Sequence, residues 1–217
     1  MQNEGLNKIY TTLVDVIPKS VLTNKNRAKT WGYGFNEKYG IVIISRTGQI
    51  GEIIQINGVD IALPLQPKII TKRHTDKSQQ YWERQEYPKV LKRITSIFQW
   101  NDMPSAFKNQ WVDYIENEFD SREDGHWFYN NGKPTYITGS HYVYLQWTKI
   151  DVGFPDYREA NRWFFIYWEA CKADIRSFGL CYLKIRRSGF SFMGSSECIN
   201  TGTLAKDARV GILSKTG

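Results

Sequence analysis

Residues 183–191 read LKIRRSGFS, and they follow directly on an apolar run, FGLCYL, at residues 178–183. The apolar run is typical of a short buried strand, and we expect a helix from Ser191 to about Ala205. A strand, a glycine-containing loop and a helix in this order predict the start of a parallel α/β sheet with crossover helices. This stretch therefore decides the expected fold class, which is α/β.

The loop also has the ingredients of a phosphate-binding site. Such a site needs the N-terminus of a helix, where unpaired N–H groups and the helix dipole favour an anion. Gly189 supplies the permissive backbone at the entry to the helix, and Ser191 stands where the hydroxyl of a Walker A motif ligates Mg²⁺. Phe190 fills the position of the Walker A lysine. Lys184, at the entrance of the loop, is the candidate replacement cation; a turn that only contacts nucleic acid or solvent is the alternative.

The segments on either side of the loop fit the same fold class. Residues Tyr157–Ile175 form the clearest helix in the sequence, and Arg209–Ser214 is typical of another buried strand. The apolar stripe of the helix comprises Ala160, Trp163, Phe164, Tyr167, Trp168, Cys171 and Ile175.

The middle of the chain is predicted to be helical and then to form a hairpin. A helical pattern starts at Ser78 and is interrupted at Pro88, and a second helix spans Pro104–Phe119. Asn130-Asn131-Gly132 is a strong signal for a tight turn between two strands. The apolar face of the second helix is formed by Phe107, Trp111, Tyr114, Ile115 and Phe119, and its acidic side chains indicate a solvated face rather than a metal site.

Residues 1–72 are predicted to form a small β-rich module, and residues 73–217 the α/β domain that contains the phosphate loop. Three apolar runs, Tyr39–Ser45, Glu52–Asn57 and Val59–Leu63, are joined by glycine turns and predict a β-meander. A sheet of this size is marginal alone, so we expect it to pack on another part of the chain.

Composition limits the function classes. The 217 residues carry a formal net charge of +7 and a pI near 9.2, which favours a polyanionic partner. No apolar run is long enough to span a membrane and no secretion signal precedes the module, so we expect a cytoplasmic protein. The cysteines (Cys171, Cys181 and Cys198) are interpreted as reduced core thiols, and the histidines (His74, His126 and His141) as surface or hydrogen-bonded side chains.

Four residues of the loop give a resemblance to a known family. Lys184, Arg187, Gly189 and Ser191 form Lys-x-x-Arg-x-Gly-x-Ser, which resembles the deviant Walker A motif of large terminase subunits, the DNA-packaging ATPases of tailed bacteriophages. In that family the lysine is often moved to the start of the loop, and an aromatic residue can follow the glycine. The sequences at 126–174 and 208–217 are similar to those of terminases from crAss-like phages, and the similarity extends from about residue 80 to the end of the chain.

The resemblance implies roles for individual residues. Lys184 is expected to neutralise the β- and γ-phosphates of ATP, Ser191 to hold Mg²⁺, and Arg187 to stabilise the transition state or sense the γ-phosphate. Gln146 is the candidate for contact with adenine. The implied catalytic residues are Lys184 and Arg187, and the implied cofactor-binding residues are Lys184, Ser188, Gly189, Phe190, Ser191 and Gln146.

The resemblance also implies partners in the host cytoplasm: double-stranded viral DNA, the portal of the procapsid, the small terminase subunit and further copies in a ring. A Walker B strand ending in Asp-Glu and the carboxylates of a nuclease domain do not follow the loop before Gly217. We therefore expect an N-terminal part of the enzyme that does not hydrolyse ATP alone. The alternatives are another P-loop ATPase such as a helicase, or a non-enzymatic nucleic-acid-binding module that uses the basic loop and the aromatic segment at 125–151.

Overall fold

The computed structural model describes residues 32–68, 70, 82–184, 188–205 and 208–211, and in these ranges the protein is mixed α/β. No helix in this part of the chain has both the length and the apolar character needed to cross a bilayer. The strands are β1 (Gly34–Asn36), β2 (Ile41–Ile43), β3 (Ile53–Ile56), β4 (Val59–Ala62), β5 (His126–Asn130) and β6 (Lys133–Ile137). The helices are α1 (Ile97–Asn101), α2 (Ser105–Glu123), α3 (Gly139–Gln146), α4 (Glu159–Ala173) and α5 (Phe190–Leu204), and a 3-10 turn spans Leu91–Arg93.

The N-terminal sheet has the strand order β1-β2-β4-β3, so the predicted meander is wrong. Asn57 and Gly58, both with positive φ, form the tight turn that joins β3 and β4 as a hairpin. The connection from β2 to β3 then lets β4 pair with β2 in parallel. This arrangement places Ile61 and Ala62 of β4 in the fully buried centre and leaves Ile53 exposed at the edge. In the described ranges, β2 and β4 are the only parallel pair.

The sheet packs on α4, which confirms the expectation that it needs another part of the chain. Val42 and Ile61 from the sheet share a core with Ile166 and Ala170 of the helix, and Tyr136 of β6 joins the same core. Burying each aliphatic side chain of this size contributes about 1.5–3 kcal/mol relative to leaving it exposed. The sheet is therefore held mainly by apolar contact with α4.

The predicted hairpin is confirmed. Asn131 and Gly132 have φ values of 49° and 73°, as a two-residue type I′ turn requires. The strands pair from His126 opposite Ile137 to the turn. Immediately afterwards, the side chain of Thr138 accepts a hydrogen bond from the N–H of His141 and caps α3. The whole of α3 is buried, so the aromatic segment that contains it fills a core.

Helix α2 confirms the predicted helix but not its buried face. Phe119 is exposed, whereas Glu118 and Ser121 are buried. The hydroxyl of Tyr142 donates to both carboxylate oxygens of Glu118, at 2.8 and 2.7 Å, and this contact satisfies an acidic group inside the protein. A hydrophobic pattern alone does not reveal such a partner.

The helical pattern that starts at Ser78 is wrong where the structure describes it. Residues 78–81 lie outside the described residues, and residues 82–90 form no helix. Only the 3-10 turn and the short helix α1 follow before Pro104. Pro88 lacks a backbone N–H and fixes its own φ, which prevents a continuous helix through this point.

Helix α4 also confirms a predicted helix, with a different buried side. Its most buried residues are Phe165, Ile166, Glu169, Ala170 and Ala173, and with 3.6 residues per turn they lie opposite the predicted stripe. The residues of the predicted stripe are half-buried or exposed. The aromatic side chains of the stripe lie closer to the surface than expected, and smaller side chains contact the sheet.

The predicted strand before the loop is not formed. Residues 177–184 have no strand structure, and Phe178 and Leu183 are 105% and 98% exposed. The expected parallel sheet with crossover helices is thus not found in the described residues, because no strand lies beside this segment to complete its hydrogen bonds. The second predicted strand, Arg209–Ser214, is irregular as far as residue 211, and its remainder lies outside the described residues.

Candidate phosphate-binding site

The N-terminus of α5 has the local geometry predicted for the loop. Gly189 is the N-cap residue with φ 77° and ψ 7°, a left-handed conformation that glycine adopts at little cost. The helix begins at Phe190, and Ser191 is exposed in its first turn. The first N–H groups of a helix have no partner within the helix, so this end is a suitable place for an anion.

Phe190, which occupies the lysine position of a Walker A motif, is a packing residue. Its ring stacks on Tyr182 with a centroid distance of 4.9 Å and meets the edge of Phe164 at 5.3 Å. Phe164 belongs to α4, so the three rings join the start of α5 to that helix and to the segment before the loop. Phe190 therefore fixes the start of α5 against α4.

Lys184 is exposed, and its side chain makes no hydrogen bond or ion pair within the described part of the chain. Ser188 directly precedes Gly189, and its hydroxyl is buried without a hydrogen-bond partner among the described residues. Arg187 lies outside the described residues. The structure thus brings Ser188, Gly189, Phe190 and Ser191 together at one helix end.

Gln146 is fully buried at the end of α3. Its amide oxygen accepts a hydrogen bond from the N–H of Gln85 at 3.1 Å, and its amide nitrogen donates to the carbonyl of Gln85 at 2.6 Å. Both ends of the amide are therefore engaged by one backbone unit. Contact between Gln146 and a base requires this pair to open.

The helix that carries the site is anchored to its neighbours by polar contacts. The hydroxyl of Ser196 donates to the carbonyl of Ser140 at 3.2 Å, and the amide of Asn200 donates to the carbonyl of Arg122 at 3.0 Å. The same carbonyl of Arg122 abuts Gly139, where a Cβ atom would lie 1.9 Å from the oxygen. This junction of α2, α3 and α5 fixes the position of the helix.

A chain of half-buried polar groups around the buried Glu169, which the sequence reasoning missed, joins α5 to the sheet. Lys172 bridges two carboxylates, Glu169 at 2.6 Å and Glu197 of α5 at 2.8 Å. Glu169 also accepts a hydrogen bond from the hydroxyl of Tyr33 at 2.8 Å and lies 3.7 Å from Arg46. We call these five residues the charge chain. Tyr33 and Glu169 are 136 residues apart in the sequence, so no local motif predicts the charge chain.

The charge chain shifts the titration of its members. Burial raises the pKa of Glu169, but Lys172 and Arg46 outweigh it, and the resulting pKa is below the ordinary value. Burial lowers the pKa of Lys172, and the two carboxylates reverse this and hold the pKa above its usual range. Burial and Glu169 raise the pKa of Tyr33. The carboxylate and the ammonium group thus remain charged at neutral pH while the phenol stays protonated.

His126 is hydrogen-bonded as predicted, whereas His141 is neither at the surface nor hydrogen-bonded within the described residues. His126 is buried and lies 3.0 Å from the Ser121 hydroxyl, in a hydrogen bond. His141 is fully buried against Phe165, with a centroid distance of 4.8 Å, and neither ring nitrogen has a hydrogen bond within the described residues. Burial, with a smaller contribution from Arg162, lowers the pKa of His141 to about 3. His74 lies outside the described residues.

The cysteines are free thiols, but only two of the three are partly buried. Cys171 and Cys198 are half-buried, and Cys181 is exposed in the segment before the loop.

The described residues contain no group of three or more His, Cys, Asp or Glu side chains placed to hold a metal ion. Ser191, the predicted ligand of Mg²⁺, lies in the first turn of α5. Comparisons of the chain with protein-family models, curated proteins and solved structures gave no match.

Proposed function

We propose that this chain is the N-terminal part of a viral large terminase subunit and that the start of α5 binds the phosphates of Mg²⁺-ATP. The proposal rests chiefly on the start of α5, where left-handed Gly189 leads into a 15-residue helix with Ser191 exposed in the first turn. Such a helix end favours an anion, and the terminase-like motif favours ATP as that anion. In the complete protein, hydrolysis would drive double-stranded DNA into the capsid.

The residues of the loop have separate tasks in this proposal. Lys184, exposed at the entrance, supplies the positive charge that Phe190 cannot supply. The hydroxyl of Ser191 is available to Mg²⁺, which neutralises negative charge on the phosphates when it is bound. Phe190 keeps the helix end against α4 through its ring contacts. The open space around Gly189, where the nearest atom to an added Cβ is the Tyr144 hydroxyl at 3.8 Å, leaves room for a phosphate close to the backbone.

The segment before the loop supports an ATPase core larger than the described one. Leu180 is half-buried and Tyr182, although 42% exposed, stacks on Phe190, whereas Phe178, Cys181 and Leu183 are exposed. A segment that is apolar on both sides is typical of a strand covered on both faces in a parallel sheet. In the proposed enzyme, further strands and helices of the ATPase core cover the exposed side. The portal, the small subunit and the ring assembly are proposed partners of that complete enzyme.

The direct test is a titration of the chain with Mg²⁺-ATP, measured by isothermal titration calorimetry. We expect Lys184→Ala to weaken binding by at least tenfold, because it removes the cation assigned to the phosphates. Lys133→Ala is the matched control: it removes another exposed lysine, at the start of β6, and should leave binding unchanged. In a longer protein that includes the Walker B and nuclease segments, Lys184→Ala should abolish hydrolysis, and normal turnover would reject the assignment of the displaced lysine.

Limited proteolysis separates this proposal from a nucleic-acid-binding module that does not use ATP. Mg²⁺-ATP bound at the start of α5 should slow cleavage by trypsin after Lys184 and the neighbouring arginines. Equal cleavage with and without Mg²⁺-ATP, at a nucleotide concentration that saturates any calorimetric signal, would favour the non-enzymatic module.

A further inference from the structure

A second basic surface lies far along the sequence from the phosphate loop, on the segment between Pro88 and Asn101. Three apolar contacts fix this segment to the rest of the protein. Tyr87 packs edge-on against Trp147 at 5.7 Å, Leu91 is buried, and Trp100 packs against Phe107 of α2 at 6.4 Å. The segment is therefore a supported surface rather than a loose loop.

The segment carries three cations. Lys89, Lys92 and Arg93 are exposed, and their side chains form no hydrogen bond or ion pair within the ranges that the structure describes. We call these three residues the basic platform. Phe98, five residues after Arg93 and in α1, is 76% exposed. Three unpaired cations on a fixed surface favour an anionic partner.

The acidic groups of the neighbouring helix do not offset the platform. Asp113, Glu116 and Asp120 of α2 are exposed. With 3.6 residues per turn, they lie on the opposite side of the helix from Phe107 and Trp111. Phe107 faces the segment of the platform. The basic and acidic surfaces are thus separated by the thickness of α2, and an anion at the platform does not meet the acidic face.

We propose that the basic platform binds the phosphate backbone of double-stranded DNA. Contacts to phosphates need fixed cations and no base recognition, and the platform supplies three. A single-strand site uses successive aromatic rings for stacking, and here Phe98 stands alone among exposed rings on the segment. A membrane-surface site uses a long amphipathic helix, whereas α1 has five residues. The inference does not depend on ATP binding at α5.

The experiment measures binding of a labelled 20-base-pair duplex by fluorescence anisotropy between about 50 and 200 mM salt. Each phosphate contact contributes about −0.9 to the slope of log affinity against log salt, so three contacts account for a slope near −2.7 and about a 40-fold loss of affinity over this range. We expect Lys89→Ala/Lys92→Ala/Arg93→Ala to reduce the magnitude of the slope by about that amount. The charge-conserving variant Lys89→Arg/Lys92→Arg/Arg93→Lys should bind as the unmodified protein does.

The matched control removes the same charge elsewhere. Lys38→Ala/Lys68→Ala/Lys133→Ala changes three exposed lysines near the N-terminal sheet and at the start of β6, so both triple variants have the same net charge. An equal loss of binding in the two triples would overturn the proposal, because net charge alone would then explain it. Tighter binding of a single strand, or equal binding to vesicles with anionic lipid, would overturn it in favour of those partners.

Two further measurements separate this proposal from the proposed ATPase. All exposed-surface variants should have the urea midpoint of the unmodified protein, which shows that loss of binding is not loss of folding. Lys184→Ala should leave the platform's contribution to the salt slope unchanged, and the platform triple should leave Mg²⁺-ATP binding unchanged. Failure of one proposal therefore has no effect on the readout of the other.

Discussion

Two apolar segments of the chain differ in structure, because one is folded and buried and the other is irregular and largely exposed. Residues 126–146 form β5, β6 and α3, and Phe128, Ile137 and Leu145 in this segment are completely buried. Residues 177–184 are as apolar in sequence, yet they form no strand and expose Phe178 and Leu183. Hydrophobic content is therefore not what distinguishes them.

The difference lies in where each segment finds its hydrogen-bond partner. The Asn131-Gly132 turn brings β6 against β5 within a few residues, so the backbone groups of both strands are paired locally. The segment at 177–184 has no strand beside it in the described residues, and an isolated strand leaves its N–H and C=O groups to water. A strand requires a neighbour as well as an apolar sequence.

The largest loss of stability is expected from a substitution of Gly139 in the buried segment. A Cβ atom there would lie 1.9 Å from the carbonyl oxygen of Arg122, which is backbone and cannot rotate away. We expect Gly139→Ala to destabilise the protein by about 4 kcal/mol, at the upper end of single substitutions. Urea unfolding followed by circular dichroism measures this.

The matched control is Gly194, in the interior of α5, where an added Cβ has no neighbour within 4 Å. Gly194→Ala should be neutral or stabilise the protein by about 0.5–1 kcal/mol, because alanine is the better helix former. If both alanine variants had the same free energy of unfolding, the short distance at Gly139 would not destabilise the protein when a Cβ atom is added there.

A smaller loss of stability is expected at acidic pH, because of His141 in the same buried segment. The folded protein holds the pKa of His141 at about 3, against about 6.5 in the unfolded chain. Between these values the unfolded state binds the extra proton, so stability is present above pH 6.5 and decreases as the pH falls towards 3. At pH 5 the loss from this residue is about 2 kcal/mol.

The measurement is the free energy of unfolding between pH 5 and pH 8 for the unmodified protein and for His141→Phe. The variant cannot bind the proton, so its stability should decrease less on acidification, by about 2 kcal/mol at pH 5 after alignment at pH 8. Identical pH profiles would show that His141 is not held neutral by its surroundings.

The smallest effect should come from the exposed segment. Phe178→Ser/Leu183→Ser removes two side chains that bury almost no surface, so each change should alter the free energy of unfolding by less than about 0.5 kcal/mol. Binding of a hydrophobic dye such as ANS should decrease, because the exposed apolar surface is smaller. Phe128→Ala in the buried segment is the contrasting variant, with an expected cost of about 3–5 kcal/mol; a similar cost for the double serine variant would mean that the exposed segment is packed in solution.

Local signals in the sequence predicted several elements correctly. The hairpin follows from Asn131-Gly132, because few residues other than glycine and asparagine adopt its positive φ values. Helices α2, α4 and α5 follow from the spacing of apolar residues and from Pro104 and Gly189 at their starts. These features depend on residues that are close together in the chain.

The errors concern partners that are distant in the chain. The buried side of α4 was wrong because Glu169 is inside, where Lys172 and Tyr33 compensate its charge. The strand order of the N-terminal sheet depends on whether β2 pairs with β3 or β4, and no local pattern decides this. The position of Gln146 likewise depends on Gln85, 61 residues away. In the candidate site, the helix end was predictable and the contacts that fix it were not.

The charge chain has a consequence for how the protein unfolds. Arg46 and Tyr33 belong to the sheet region, Glu169 and Lys172 to α4, and Glu197 to α5. Separating the sheet from the helices would break the Tyr33–Glu169 hydrogen bond and the Arg46–Glu169 ion pair, together with the apolar core that the sheet shares with α4. The sheet and the loop-bearing helix should therefore lose hydrogen-exchange protection together, as one cooperative unit, although they lie at opposite ends of the sequence.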